Sequence, residues 1–145
     1  MIDFKQIRVL IKREEKLRWA LERQMAKATR STASFSGSGG GRRSDTSKVE
    51  NGAVAMVPLR EQHREIECEL KRVRQDLRPK IRRLSDPLAR SVMTMRYIHG
   101  ISVRKIASML DYSEQHIFDT LNKSERQINQ RVQLSETSRK TSEFT

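Results

Sequence analysis

The side chains with the means to do chemistry fall into two groups. The first contains the types that ligate metals or attack substrates: His63, His99, His116 and Cys68. These do not cluster at metal-ligand spacing, and Cys68 lies in an amphipathic helical pattern where a thiol is inert. Gly37-Ser38-Gly39-Gly40-Gly41 follows no strand, so it reads as a linker rather than a phosphate-cradling loop. The residues therefore point to no enzyme, no metal and no cofactor. The second group is a run at the start of a helical pattern: Ser113, Glu114, Gln115, Phe118, Asp119 and Asn122. On a helix set into a DNA major groove, the first turns face the base edges. There Gln115 can pair with adenine and Glu114 can accept from cytosine. His116 reads as a surface residue directed to backbone or solvent.

Cations that would contact phosphate lie nearby. Arg104, Lys105, Lys123 and Arg126 flank the reading run, each equally readable as a solvated charge. Arg78, Lys80, Arg82 and Arg83 form a dense cluster just ahead of it. That cluster either grips phosphate beside the motif or is a solvated linker.

The elements that must position these groups can be read from caps and spacing. Ser85-Asp86-Pro87 is a helix start, with a capping side chain followed by a proline suited to the first turn. This helix carries Leu88, Val92, Met95 and Tyr97-Ile98 and stops at His99-Gly100. Ser102 caps a short helix, Val103 to Leu110, and Asp111-Tyr112 makes a tight turn. Ser113 caps a third helix through Ile117, Leu121, Ser124 and Ile128, with Glu114 where the helix dipole favours a carboxylate. Ala107 lets two steeply crossing helices approach, and Ile106, Leu110, Tyr112 and Ile117 are expected to fill the wedge between them. This is helix-turn-helix spacing.

The run from Leu84-Ser85-Asp86-Pro87-Leu88 through Met95-Arg96-Tyr97-Ile98-His99-Gly100, then Ser102, Ile106-Ala107, Leu110 and Tyr112-Ser113, resembles the C-terminal promoter-reading region, region 4, of bacterial sigma factors. It resembles still more the sigma-like phage regulators of the ArpU type. The resemblance covers about a third of the chain. It implies a phage or prophage protein that activates transcription, often of late genes, in contact with RNA polymerase. Asp111 stands where these motifs usually carry Gly, and an aspartate tolerates the left-handed turn better than most residues. Glu114 and Asp119 occupy a helix where a basic face is expected.

Upstream, Ile7, Leu10, Ile11, Leu17, Leu21, Met25 and Ala28 mark one face of an amphipathic helix. A second seam runs Ile66, Leu70, Val73, Leu77, Ile81 and Leu84, with Val54 and Val57 as possible extensions. Pro58 predicts a kink or a helix start, and Pro79 a bend. Between the seams, the Ser/Gly-rich stretch reads as a flexible loop. The organisation expected is an all-α chain: an amphipathic helix over 1–30, a loop over 31–48, a second basic helix over 49–83, a helix-turn-helix domain over 84–131 and a disordered tail over 132–145. The first two helices form an antiparallel hairpin or a coiled coil completed by a partner chain, which would make a homo-oligomer.

The bulk numbers agree. Only 35% of the 145 residues are hydrophobic and 33% are charged, which allows a narrow helical core. The net charge of +12 suits a polyanionic partner, most often nucleic acid. Residues 84–131 hold seven Lys/Arg against five Asp/Glu, while residues 1–83 hold twenty-one against eleven. Most of the positive excess thus lies outside the motif. One cysteine excludes an intramolecular disulfide, and no stretch has the length of a membrane span, so a cytoplasmic, DNA-associated protein is expected. The function expected is a DNA-binding transcriptional regulator acting on duplex DNA with RNA polymerase. The alternatives are a phage small terminase subunit for DNA packaging, or a helical adaptor that binds only protein.

Overall fold

The computed structural model describes residues 1–33 and 45–143, with side chains described for 1–30 and 56–143. Among these residues every regular element is helical: α1 (Phe4–Ala33), α2 (Asp45–Arg82), α3 (Pro87–Met93), a π-helical turn (Thr94–Ile98), α4 (Val103–Leu110) and α5 (Glu114–Ser142). No described helix is long and apolar enough to cross a membrane. The expected loop is trimmed at both ends, since α1 reaches Ala33 and α2 begins at Asp45. Its central residues, Arg42 and Arg43 among them, lie outside the described residues.

The chain divides into two compact units, Met1–Ile11 with Leu70–Thr145, and Lys12–Glu69. The expected boundaries at 30 and 84 are therefore not where the packing divides. The first unit has a sealed core. Leu70, Leu77, Leu84, Val92, Met93, Tyr97, Ile106, Ile117 and Ile128 are each under 2% exposed, and Phe4, Ile7, Leu10 and Ile11 are buried as well. The other unit has a narrower seam, in which Met56 and Ile66 are the buried apolar residues among those described.

Local chemistry explains most of the elements. Asp86 caps α3 by accepting from the Leu88 amide at 3.0 Å, with Pro87 in the first turn. Ser102 and Ser113 cap α4 and α5, accepting from the amides of Lys105 and His116. Gly100 takes a φ of +68°, and a Cβ there would stand 3.4 Å from Ile11 Cγ2. Glycine meets both the backbone requirement and the close approach.

Several expectations need correction. α2 runs unbroken through both prolines, so Pro58 does not start a helix. Burial of Met56 and Ile66 around the first, and of Leu77 and Ile81 around the second, outweighs the local cost. The helix expected through Ile98 widens at Thr94 into π geometry, where the His99 amide donates to the Thr94 carbonyl at 3.1 Å. That widening shifts the helical phase, so that Tyr97 and Ile98 both join Val92 and Met93 in the core. Residues 132–142, expected to be disordered, continue α5. No Gly or Pro interrupts residues 113–145, and the hydroxyls of Ser135, Thr137, Ser138, Thr141 and Ser142 donate to carbonyls one turn back. Met25 and Val57, placed on the seams, are 53% and 52% exposed. Tyr112, expected to fill the α4–α5 wedge, is 46% exposed and stacks instead on His116, with ring centroids 4.8 Å apart.

Candidate nucleic-acid interface

The turn between α4 and α5 is built by three local contacts. Asp111 adopts the left-handed conformation, φ 59° and ψ 43°, where a glycine is the easier residue. The Tyr112 amide closes the turn onto the Ala107 carbonyl at 3.0 Å. The Ser113 hydroxyl oxygen then accepts from the His116 amide at 3.2 Å, satisfying a donor that the new helix leaves free. Ile106, Ala107, Ile117 and Leu121 are buried, and α5 packs against both α3 and α4. Ser124, also buried, donates to the Thr120 carbonyl at 2.7 Å, so its small polar side chain is satisfied within α5.

With that side buried, the other side of α5 is open. Ser113, Glu114, Gln115, Phe118, Asp119 and Asn122 are all exposed. Gln115, Asp119 and Asn122 follow steps of four and three, which puts them on one face with Phe118 beside them. Gln115 Nε2 donates to Asp119 Oδ1 at 3.0 Å, so one donor of the amide is engaged while its carbonyl remains open. The Ser113 side chain is engaged as the cap of α5.

The cations expected on phosphate divide by engagement. Arg104, Lys105, Lys123, Arg126, Arg78, Arg82 and Arg83 are exposed. Lys80 is half-buried, and its ammonium lies 2.5 Å from Asp76 Oδ1 and 3.2 Å from the Asp76 carbonyl. Its charge is spent within its own helix. All eight belong to the unit that contains α4 and α5.

A second set of residues carries no local signal in the sequence. Arg8, in α1, donates to the Tyr97 hydroxyl at 2.8 Å and to Glu125 Oε1 at 2.9 Å, and Tyr97 in turn donates to Glu125. Burial pushes the Tyr97 phenol above its ordinary pKa, and the Glu125 acceptor adds to the shift. Phe4 packs on the Tyr97 ring at 5.2 Å. Asn129 holds the Ile2 backbone at both ends, accepting from its amide at 2.9 Å and donating to its carbonyl at 3.1 Å. The first eleven residues are thereby part of the unit that contains α4 and α5.

A third set lies in the other unit. Glu14 Oε1 is 3.1 Å from His63 Nε2, and Glu67 Oε2 is 3.7 Å from His63 Nδ1. These are metal-ligating types within 4.8 Å of one another. The two carboxylates sit on opposite ring nitrogens of His63, whereas metal ligands converge on one point. There was a signal for this pair. Glu14 falls in the heptad Ile7, Leu10, Glu14, Leu17, Leu21, Gln24, Ala28, and His63 in Met56, Leu59, His63, Ile66, Leu70. Each is a polar residue at a seam position, where such residues set register.

No curated protein and no solved structure matches this chain. One family does, over residues 29–129, a span that begins near the end of α1 and closes inside α5. That span covers more than half of the chain, so the protein belongs to the family described as "Protein of unknown function (DUF1492)".

Proposed function

We propose that this chain is a sequence-specific DNA-binding transcriptional regulator that reads duplex DNA with a helix-turn-helix made of α4 and α5. One observation carries this reading. A left-handed turn at Asp111 leads into a serine-capped helix with one side sealed in the core and the other presenting Gln115, Phe118, Asp119 and Asn122 to solvent. An amide and a carboxylate at the outer turns of such a helix are the groups that discriminate base edges in the major groove, and Phe118 offers an apolar contact for a thymine methyl. The exposed Arg78, Arg82, Arg83, Arg104 and Lys105 of the same unit supply the phosphate contacts that position it.

The likeness to sigma factors and ArpU-type regulators supports the further reading of an activator of phage or prophage late genes that works with RNA polymerase. The acidic Glu114 and Asp119 fit that dependence. A reading helix with two carboxylates needs affinity from elsewhere, from the basic residues upstream or from the polymerase.

The test sorts the contacts by kind. Gln115→Ala should lose discrimination at one base position of a selected site, while Arg82→Ala should weaken all duplexes alike and lower the salt slope by about one. Unchanged sequence preference in Gln115→Ala would remove α5 from the role of reader.

A further inference from the structure

The unit that holds the reading face also contains an open groove, of about 570 Å³, between the start of α1 and α5. Lys5 and Arg8 line it from α1, and Asn122, Arg126, Asn129 and Gln130 from α5. Its one lining carboxylate, Glu125, is already engaged by Arg8 and Tyr97. Lys5 and Arg126 are exposed and form no ion pair among the described residues. The groove thus carries two uncompensated cations between walls of side-chain amides. A second groove, of about 390 Å³, lies further round α5 and is lined by Asp119, Asn122, Lys123 and Arg126. Asn122 and Arg126 border both, so the surface passes without a break from the reading face of α5 to the start of α1.

We infer that this groove takes the sugar–phosphate backbone of the duplex that α5 reads, with Lys5 and Arg126 as its phosphate contacts. The inference rests on the DNA-binding reading above and extends the interface to residues that the sequence placed in a separate helix. Its physical basis is charge complementarity on a continuous surface. A polyanion lying across the outer turns of α5 must continue along one flank of that helix. The α1 flank offers cations and hydrogen-bond donors, with its single carboxylate neutralised.

The experiment is a salt titration of the full chain binding a labelled duplex of mixed sequence, read by fluorescence anisotropy. Lys5→Gln/Arg126→Gln should weaken every duplex alike and lower the slope of log K against log salt by about two, roughly 0.9 for each phosphate lost. Both positions are exposed and glutamine is a good helix former, so the helical circular dichroism should be unchanged. Lys16→Gln/Lys27→Gln removes the same charge from exposed positions in the other unit and should move the slope by less than half as much. Equal losses in the two double variants would overturn the inference, because the effect would then be one of net charge. An unchanged slope for the Lys5/Arg126 variant, with wild-type binding intact, would overturn the groove and leave the reading helix standing. Absence of duplex binding by the wild-type chain at low salt would overturn both. Displacement of the duplex by polyglutamate at equal affinity, lost in the same double variant, would assign the groove to an acidic protein instead.

Discussion

The two units of this chain hold themselves together in different ways. The unit containing α3, α4 and α5 draws buried side chains from five helices, and several of them are fully shielded from water. The unit formed by Lys12–Glu69 has a two-helix seam in which most apolar positions are only half-buried and one layer is a Glu14–His63 pair. A core filled from several directions leaves little room to relax, so each residue in it counts heavily. A seam between two helices stays close to water, and its polar layer trades stability for register. The unit proposed to read DNA is thus the rigid one, as a reading helix requires if its side chains are to meet base edges at fixed positions.

The strongest way to break this comparison is to remove Met1–Ile11. The deletion takes away Phe4, Ile7, Leu10 and Ile11, each contributing about 1.5–3 kcal/mol of burial, along with Arg8. The sum is comparable to the whole stability of a small domain. The truncated chain should lose its cooperative thermal transition by circular dichroism. A transition kept within a few degrees of the full chain would show that the N-terminal segment is dispensable to the core.

Single core truncations sharpen the contrast. Ile117→Ala should cost about 2–5 kcal/mol in urea unfolding, because Ile117 is wholly buried among α-helices that cannot close the void. Ile66→Ala, in the other unit, should fall at the low end of that range. Equal costs would contradict the difference in core character.

A smaller effect is expected at the part-buried Arg8–Tyr97–Glu125 triad. Tyr97→Phe removes a hydroxyl that donates to Glu125 and accepts from Arg8, for a loss of about 1 kcal/mol near neutral pH. Its pH dependence has a definite sign. The Tyr97 pKa is raised in the folded protein, so the protonated phenol adds stability that is fully present below about pH 10 and is lost as pH rises beyond it. The stability gap between wild type and Tyr97→Phe should therefore be constant up to that point and shrink above it. A gap that widens at high pH would mean the phenol ionises more easily in the fold than out of it.

The smallest change in stability is expected from Glu14→Leu/His63→Leu. Replacing a half-buried polar pair by apolar residues is commonly neutral or stabilising. The consequence should appear in specificity: sedimentation velocity should show several species where the wild type shows one. A single species in both proteins would remove the register role from this pair.

Legibility in the sequence followed the range of the interaction. The caps at Asp86, Ser102 and Ser113, the stop at Gly100 and the left-handed Asp111 were all readable, since each depends on contacts within a few residues. The seam of α2 was readable because Ile66, Leu70, Leu77, Ile81 and Leu84 repeat with the helix and are buried. The misjudged residues were those whose fate depends on what stands opposite. Tyr112 is apolar enough for a wedge, but His116 beside it offered a stacking partner at the surface. Met25 has seam spacing yet stays exposed among the described residues, and the hydroxyl-rich end of α5 found its hydrogen bonds within its own helix.

By itself, the amino-acid order determined an all-helical chain, the ends of its shorter helices, the turn before α5 and the polar side chains that α5 presents, because these are properties of neighbouring residues. Only the tertiary structure decided that Met1–Ile11 belongs in one unit with α5. The contacts that establish it join residues 89, 117 and 127 positions apart, Arg8 to Tyr97, Arg8 to Glu125 and Ile2 to Asn129. A polar side chain at such a distance carries no mark of its partner in the sequence. The pairing exists because burial of Phe4, Ile7, Leu10 and Ile11 brings the start of α1 against α5 and leaves Arg8 within hydrogen-bond reach of Tyr97 and Glu125.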